Sequence, residues 1–584
     1  MRDVAHDVRA RLSFADDRDI DEFVEMLGNF ERGEISADAW RKFRLVRGTY
    51  GQRQDDAQML RVKIPQGVVT AVQLEALAEV GERYSRGFCH VTTRQNVQFH
   101  FMRLHDVEAA MRLVANAGIT TREACGNSVR NITACPYAGV SPDEVFDVTP
   151  YAEALTRYLL RHPLSAVLPR KFKIAFEGCA DDHACTAIHD LGWIARVEPH
   201  EGRPTRGFRL VVGGGTSILP TSARTLFAFL PASAMLDVTE AILRVYQRLG
   251  DYEHRQRNRM KFLIRALGWE TWRAAVLDAL DEVRREGGAR LPFDPEAPPE
   301  EAAPEHHRHA RGAIGATGLR AWRATNVMPQ RQSGFVVATV RLLLGDITTA
   351  QLRVVADLAR AAGDGTARLT SNQNLILRWV PEELVPPLHA RLAAAGLARA
   401  GASTIADVIS CPGAETCRLA VTQSRGLGRE LASALEERPE IAAGAERTSI
   451  KISGCPNGCA QHHIATIGLQ GSVRKVAGQA VPQYFVMLGG KAASDGAAFA
   501  RLAGKVPARR VVTALERLLD LYRVEKNDGE STEEFFGRVA VARVKALLAD
   551  LEAMTPETAR AEDYVDLGDT VAFVPDVKEG ECAT

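Results

Sequence analysis

GVVTAVQLEALAEV, beginning at Gly67, recurs as GDITTAQLRVVADL, beginning at Gly345, an offset of 278 (345 − 67). Self-similarity is the first thing to test in a long chain, because a missed repeat misassigns the whole fold. The register holds outward from this pair. TTRQNVQF from Thr92 answers TSNQNLIL from Thr370, and AlaGly at 117–118 answers AlaGly at 395–396, at the same offset. NITACP ending at Pro136 answers DVISCP ending at Pro412, and VVGGG from Val211 answers MLGGK from Met487, now at 276 (412 − 136). One two-residue slip over so many blocks marks two equivalent halves, each far longer than a solenoid repeat. They are expected to pack face to face about a pseudo-twofold.

Within the first half the pattern is strand, helix, strand. RVKIP (61–65) alternates as a strand does, TAVQLEALAEVGERYS has helical spacing, and CHVTTRQNVQFHFM returns to alternation. VEAAMRLVANAG (107–118) is again helical and ends at Gly118, a C-terminal cap. The fold class that follows is α+β, internally duplicated, with mixed sheets and helices. At 584 residues the chain exceeds one core, so a three-domain arrangement is expected. The boundaries read from the sequence are an N-terminal arm (1–40), a first half-domain (41–138) and its α/β domain (139–287). A linker (288–312), a second half-domain (313–405), a second α/β domain (406–550) and a C-terminal tail (551–584) complete the chain. The amphipathic helix WRAAVLDALDEVRREG leads into LPFDPEAPPEEAAPEHHRHARG, whose Pro, Glu and Ala content reads as an exposed linker with solvated His306, His307 and His309.

Lys plus Arg equals Asp plus Glu at 73 each, so no global field draws the protein to nucleic acid or a membrane surface. The N-terminus lacks an apolar signal core, and no apolar run approaches the ~20 residues of a membrane span. With ten cysteines in so long a chain, reduced thiols in the cytoplasm are expected.

The cysteines supply the first chemical signal. Cys411 and Cys417 lie in CPGAETC, and Cys455 and Cys459 in GCPNGC. Two close pairs point to a bound metal rather than disulfides. Zinc sites usually space their thiolates more tightly than Cys411 and Cys417. The wide gap, and Pro after Cys411 and Cys455, favour the larger cage of a [4Fe–4S] cluster, with zinc or a structural set as the alternatives. In the first half, GCADDHAC carries Cys179, His183 and Cys185, a zinc half-site if taken alone, which reads instead as the remnant of a duplicated site that no longer binds.

With net charge zero, basic residues on structured segments without neighbouring acids are informative. Arg61, Arg94 and Arg130 are of this kind, as are Lys171 and Lys173 in LPRKFKIAF, which alternate and so share one strand face. HRQRNRMKF adds Arg257, Arg259 and Lys261. Two ammonium groups so close require an anion between them.

CPGAETC with GCPNGC, together with the duplicated halves, TTRQNVQFH, LPRKFK and VGGG, resembles the sirohaem-containing sulfite and nitrite reductases, over about residues 43–545. The resemblance implies that Cys411, Cys417, Cys455 and Cys459 ligate a [4Fe–4S] cluster, with Cys459 shared as the axial ligand of the sirohaem iron. It implies that Arg94, Asn96, Gln98, Arg257, Arg259 and Lys261 hold the carboxylate-rich macrocycle. Gly213, Gly214, Gly215 and Asn457 would let backbone approach the cofactor. Arg61, Arg130, Lys171 and Lys173 match the four basic substrate residues of sulfite reductases, and Lys173, where nitrite reductases typically have Asn, points to sulfite. The implied reaction is six-electron reduction of sulfite to sulfide, with nitrite to ammonia as the alternative and a non-catalytic tetrapyrrole-binding protein as the distant one. The chain has no G-x-G-x-x-G after a strand, so electrons are expected from a ferredoxin or a separate NADPH-flavoprotein. Some ferredoxin-type relatives join side chains at the positions of Tyr50 and Cys125 covalently.

Overall fold

The computed structural model describes residues 13–304, 317–578 and 580–581, and in it the repeat becomes a set of paired sheets. The first sheet runs Thr49–Gly51, Ala57–Val62, Val97–Arg103, Phe88–Val91 and, at its edge, Asp346–Thr348 from the other half. The second runs Val327–Pro329, Phe335–Val340, Leu375–Pro381, Thr366–Leu369 and Val68–Thr70, again with its last strand from the other half. Each half therefore lends one short strand to its partner.

The local sequence explains the exchange. Each lent strand ends on a threonine, Thr70 or Thr348, that caps the following helix, and Gln73 or Gln351 closes a capping box back onto it. The two capped helices, Ala71–Tyr84 and Thr349–Ala362, lie against each other, so the strand entering each is carried onto the other sheet. Leu74, Leu77 and Phe99 share one buried cluster with Val355, Leu358 and Leu377. Burying side chains of this size stabilises by roughly 1.5–3 kcal/mol apiece. The joint between the halves is thus core rather than interface. The half-domains expected at 41–138 and 313–405 are thereby intertwined over their described residues.

The backbone repeats as closely as the residues. Gln66 and Leu344, Gln95 and Gln373, and Phe101 and Trp379 all adopt positive φ in equivalent places. Such conformations cost about 1–3 kcal/mol for a non-glycine residue and need compensation. Gln95 shows the compensation. Its amide donates to the Ala134 carbonyl (2.8 Å) and accepts from the Ala134 N–H (3.0 Å). Gln373 accepts equivalently from Ser410 N (3.0 Å). These glutamines pin each half-domain to the sheet behind it. Gln95→Ala orphans two buried backbone groups at about 1–3 kcal/mol each. The expected result is a loss of about 2–6 kcal/mol of stability, read from chemical denaturation followed by circular dichroism.

The α/β sheets match in the same way. Thr133–Ala134, Ile174–Glu177 and Leu191–His200 are parallel neighbours, and Arg203–Val212 and Arg224–Pro231 continue antiparallel. Ile409–Ser410, Ile450–Ser453, Ile467–Val476, Gln479–Leu488 and Arg501–Pro507 reproduce that order and direction. The first of these sheets already begins at Thr133, ahead of the expected boundary at 139, because the CP loops belong to the sheet they leave.

Other expectations shift in detail. The strand of RVKIP ends at Val62, since Pro65 opens a 3₁₀ turn. CHVTTRQNVQFHFM is a hairpin, with a turn closed by Gln95 N donating to Thr92 O (3.0 Å). Lys171 and Lys173 precede the strand Ile174–Glu177 and flank Phe172, which bridges to Val129. The N-terminal arm is helical from Asp17, and its second helix, Ala37–Val46, runs past residue 40. The linker up to residue 304 is docked: Tyr151 Oη donates to Pro295 O, and Glu301 pairs with the buried Arg368 and Arg378. His306, His307 and His309 lie outside the described residues. No described helix is long and apolar enough to cross a membrane.

Candidate active site

The loops leaving the carboxyl ends of the parallel strands face the two half-domain hairpins, the usual location of a site in such sheets. One open cavity lies between them. Its walls carry Arg61, Arg94, Asn96, Gln98, Arg130, Lys171 and Lys173 from one half and Cys411, Cys417, Cys455, Asn457 and Cys459 from the other. The structure therefore brings the basic set and the cysteine set to one place.

The cysteines sit where strands end. Ile409–Ser410 delivers Cys411, and Ile450–Ser453 delivers Gly454 and Cys455. Gly454 N donates to Cys411 Sγ (3.3 Å). Gly413, at φ +59, turns the first loop back on itself, and a Cβ there would meet Ser424 Oγ at 2.3 Å, so only glycine fits. Burial, followed by the neighbouring Cys459, Cys411 and Cys417, pushes the Cys455 thiol well above its ordinary value. Sulfurs gathered in this way would be held as thiolates only with a cationic centre among them. Cys411 and Cys455 are buried, whereas Cys459 is exposed toward the cavity, held by Thr93 Oγ1 donating to its carbonyl (2.8 Å).

Backbone carbonyls hold Arg130 and Arg94 in place. Arg130 Nε donates to Gly126 O (2.9 Å), and Arg130 Nη1 to Ala124 O (3.3 Å). Arg61 stands opposite Gln98 in the sheet register, and with the Gln98 amide turned to suit, its oxygen accepts from Arg61 Nη2 at 2.7 Å. Arg94 donates to His189 Nε2 (2.6 Å) and to the Asn131 carbonyl. His189 Nδ1 in turn donates to Cys185 O (2.7 Å), which fixes the tautomer. Burial, Arg94 and Lys173 hold that imidazole well below its usual value, and so neutral. Burial and then Arg130 push Arg94 down to about 9. Burial, followed by Arg259, Arg94 and Lys171, drives Lys173 well below the ordinary lysine range. A guanidinium does not give up its proton in a protein, so this crowding calls for a bound polyanion.

Two further observations fit a carboxylate-rich group. Arg94 Nε and both ring nitrogens of His100, which lines the cavity, are buried without a hydrogen-bond partner. Such groups normally have one.

Other predicted binders lie behind the wall. Arg259 pairs with buried Asp190 (2.7 Å), whose carboxylate also accepts from Lys173 N (2.8 Å). Lys261 donates to the carbonyls of Thr216 (3.0 Å), Ile218 (2.8 Å) and Leu219 (2.8 Å), and thereby shapes the loop after VGGG. Arg257 is exposed. A Cβ on Gly214 would meet Ala187 O at 2.5 Å, and one on Gly213 would meet Ile264 Cδ1 at 2.7 Å; a Cβ on Gly215 would approach Lys261 Cδ at 3.3 Å. The close approach at these glycines is made by the chain itself, and they do not line the cavity. Asn96 lines the cavity, but its Oδ1 accepts from Ile64 N (3.2 Å), as Asn374 Oδ1 does from Leu342 N (2.9 Å) in the half without the basic set. That repetition marks a structural bond.

Sequence reasoning missed His189, Asp190 and Glu581. Glu581 brings the C-terminal tail to the cavity rim, accepting from Arg44 Nη1 (2.9 Å) and Gly51 N (2.7 Å). Tyr50 and Cys125 fall in one small buried cluster with Leu45, Met59 and Ala124, and Arg61 Nη1 reaches Cys125 Sγ at 3.2 Å.

Comparison with known proteins agrees with this geometry. The model of the nitrite and sulphite reductase 4Fe–4S domain matches residues 125–283 and 401–554. That of the nitrite/sulfite reductase ferredoxin-like half domain matches 50–117 and 328–395. A curated sulfite reductase [ferredoxin] 1 of Mycolicibacterium paratuberculosis is 30% identical over 81% of this chain and 80% of its own. A ferredoxin–nitrite reductase of Synechococcus elongatus is 31% identical over 75% and 80%. The solved structure of the Mycobacterium tuberculosis NirA protein superposes with a TM-score of 0.74 at 27% identity, covering 92% of this chain and 98% of that one. With its duplicated half-domains, its paired CP loops and its basic cavity, the chain belongs to the nitrite and sulphite reductase family, whose members carry sirohaem and a [4Fe–4S] cluster.

Proposed function

We propose that this enzyme reduces sulfite to sulfide with six electrons supplied one at a time by a ferredoxin. The observation that carries the reading is the convergence of Arg61, Arg130, Lys171 and Lys173 on the cavity that Cys459 faces. Cys411, Cys417, Cys455 and Cys459 would hold the cluster, and Arg94 and His100 would meet carboxylates of the macrocycle. Sirohaem, when bound, supplies the iron that takes the oxyanion. The chain's own part is to orient that oxyanion with charge-assisted hydrogen bonds and to deliver protons as its oxygens leave as water. A dianion matches the extra charge at Lys173 better than monoanionic nitrite does. The ferredoxin follows from the relatives, which are named for it on both the sulfite and the nitrite side.

The test is kcat/KM for both anions on one preparation with a chemical one-electron donor in excess. A sulfite preference supports the reading. A nitrite preference replaces it with nitrite reduction to ammonia, and a loaded enzyme that reduces neither returns the chain to tetrapyrrole binding.

A pH dependence follows from Lys173. Its folded value lies below the unfolded one, so between the two the unfolded chain binds more protons, and the anion-free pocket gains stability as pH rises. An anion reverses this by favouring the charged form, so binding takes up a proton. Nitrite, whose own charge is constant near neutrality, is the clean probe. Its binding enthalpy is expected to vary with the ionisation enthalpy of the buffer with a slope showing proton uptake, and Lys173→Met is expected to flatten that slope.

A further inference from the structure

The counterpart of the cysteine site in the first half is more than a remnant. At the 276-residue offset, Cys135 stands for Cys411, Cys179 for Cys455, His183 for Cys459 and Ser141 for Cys417. The surroundings match as well. Ser371 Oγ donates to His183 O (2.7 Å), just as Thr93 Oγ1 donates to Cys459 O (2.8 Å). The sequence grouping of Cys179 and His183 with Cys185 is corrected by the fold: Cys185 packs against Ile188 and Ile464, and Cys135 takes its place.

Cys135 Sγ lies 3.4 Å from Cys179 Sγ and 3.5 Å from His183 Nδ1, and His183 Nδ1 lies 3.9 Å from Glu177 Oε2. All four donor atoms fall within 4.8 Å of one another, and among the described residues this is the group of metal-binding side chains that converges so tightly. A tetrahedral zinc ion, with bonds of about 2.3 Å to sulfur and 2.0–2.1 Å to nitrogen or oxygen, sets donor atoms roughly 3.4–3.8 Å apart. The sulfur–sulfur distance is far beyond the ~2.05 Å of a disulfide. The carboxylate is held in place by the N–H groups of Gly178 (2.9 Å) and Cys179 (2.9 Å) on one oxygen and of Ala184 (3.0 Å) on the other. Outer contacts of that kind orient metal ligands.

We propose that Cys135, Cys179, His183 and Glu177 bind one structural zinc ion, so that the two halves carry different metals at equivalent places. A second cluster is disfavoured because serine and histidine replace two of the four thiolates. Most of the basic wall is also missing from the second half: Thr339, Asn372, Ala406 and Ser449 stand where Arg61, Arg94, Arg130 and Lys173 stand in the first, and Arg447 at the place of Lys171 keeps its charge. None of the four residues lines the substrate cavity, so all four positions are spent on protein ligands and the ion is closed to substrate, as structural zinc is. Its task would be to clamp the NITACP and GCADDHAC loops together, next to the His189–Asp190 pair that sets Arg94 and Lys173.

The experiment is elemental analysis with zinc-edge X-ray absorption on untagged holoenzyme purified without chelator. Expected are about one zinc per chain beside the iron, and a first shell of about two sulfurs near 2.3 Å with two lighter atoms near 2.0–2.1 Å. Cys179→Ala and, separately, His183→Ala should each remove most of the zinc while the iron stoichiometry stays. Wild-type protein without zinc, a zinc shell of nitrogen and oxygen alone, or a Cys135–Cys179 disulfide in the peptide map would each overturn the proposal. The spectrum of the wild type decides it even where a variant does not fold.

Discussion

Cys459→Ser is expected to abolish turnover of both anions while leaving a folded chain. All four cysteines line the cavity, but Cys459 is the exposed one while Cys411 and Cys455 are buried, so under the proposed function it is the thiol that would serve cluster and macrocycle together. Serine keeps the size and the Thr93 contact to the residue 459 carbonyl, so the substitution tests the sulfur alone. Hydroxyl oxygen is a poor substitute for thiolate toward iron–sulfur centres. Altering a partner outside the ligand shell typically costs ~10–100-fold, so loss of a shared ligand should exceed ~100-fold. Reductant-driven turnover measures this. An altered visible spectrum with unchanged far-ultraviolet circular dichroism would separate it from misfolding. Wild-type turnover in this variant would remove Cys459 from the site.

The second large effect is a change of selectivity. Lys173→Asn is expected to lower kcat/KM for sulfite by about 30-fold or more and for nitrite by much less. Truncating one member of a buried, hydrogen-bonded charge pair typically costs ~2–5 kcal/mol, and ~1.4 kcal/mol is a factor of ten. The dianion bears that cost more fully than the monoanion. Relief of crowding against Arg259, Arg94 and Lys171 works in the other direction and favours folding of the variant. A thermal midpoint at or above wild type alongside the selective kinetic loss is therefore the expected pair of results. Equal losses for the two anions would show that Lys173 serves the macrocycle and not the choice of substrate.

The repeat made most of the architecture readable, because equivalence of two segments is a property of the letters themselves. Helix Ala71–Tyr84 was legible from its spacing, and its capping box appears only with the structure. The strand exchange could not be foreseen: Val68–Thr70 looks like any short strand, and which sheet receives it depends on how the two capped helices pack. At the site, the four cysteines and the basic set on the cavity wall were legible as motifs. Arg259, Lys261 and the VGGG glycines were assigned to the cofactor because charge and glycine are visible in a sequence, whereas the partners that claim them, Asp190 and the Thr216–Leu219 carbonyls, are met only through folding. The metal-binding group of the first half was blurred similarly. Cys185 is nearer in sequence to His183 than Cys135 is, yet parallel pairing of Thr133–Ala134 with Ile174–Glu177 brings in the distant cysteine.

The lent strands also set a timetable for biosynthesis. Phe88–Val91 leaves the ribosome long before Asp346–Thr348, the strand that covers its edge, has been translated. At ~5–20 residues per second the wait is about 13–50 s. During that interval the nascent first half presents an open sheet edge beside an unfinished hydrophobic core, which is the template on which chains stick to one another. The topology therefore predicts a lower soluble yield when translation is slowed between residues 91 and 346, recovered by a co-expressed holding chaperone.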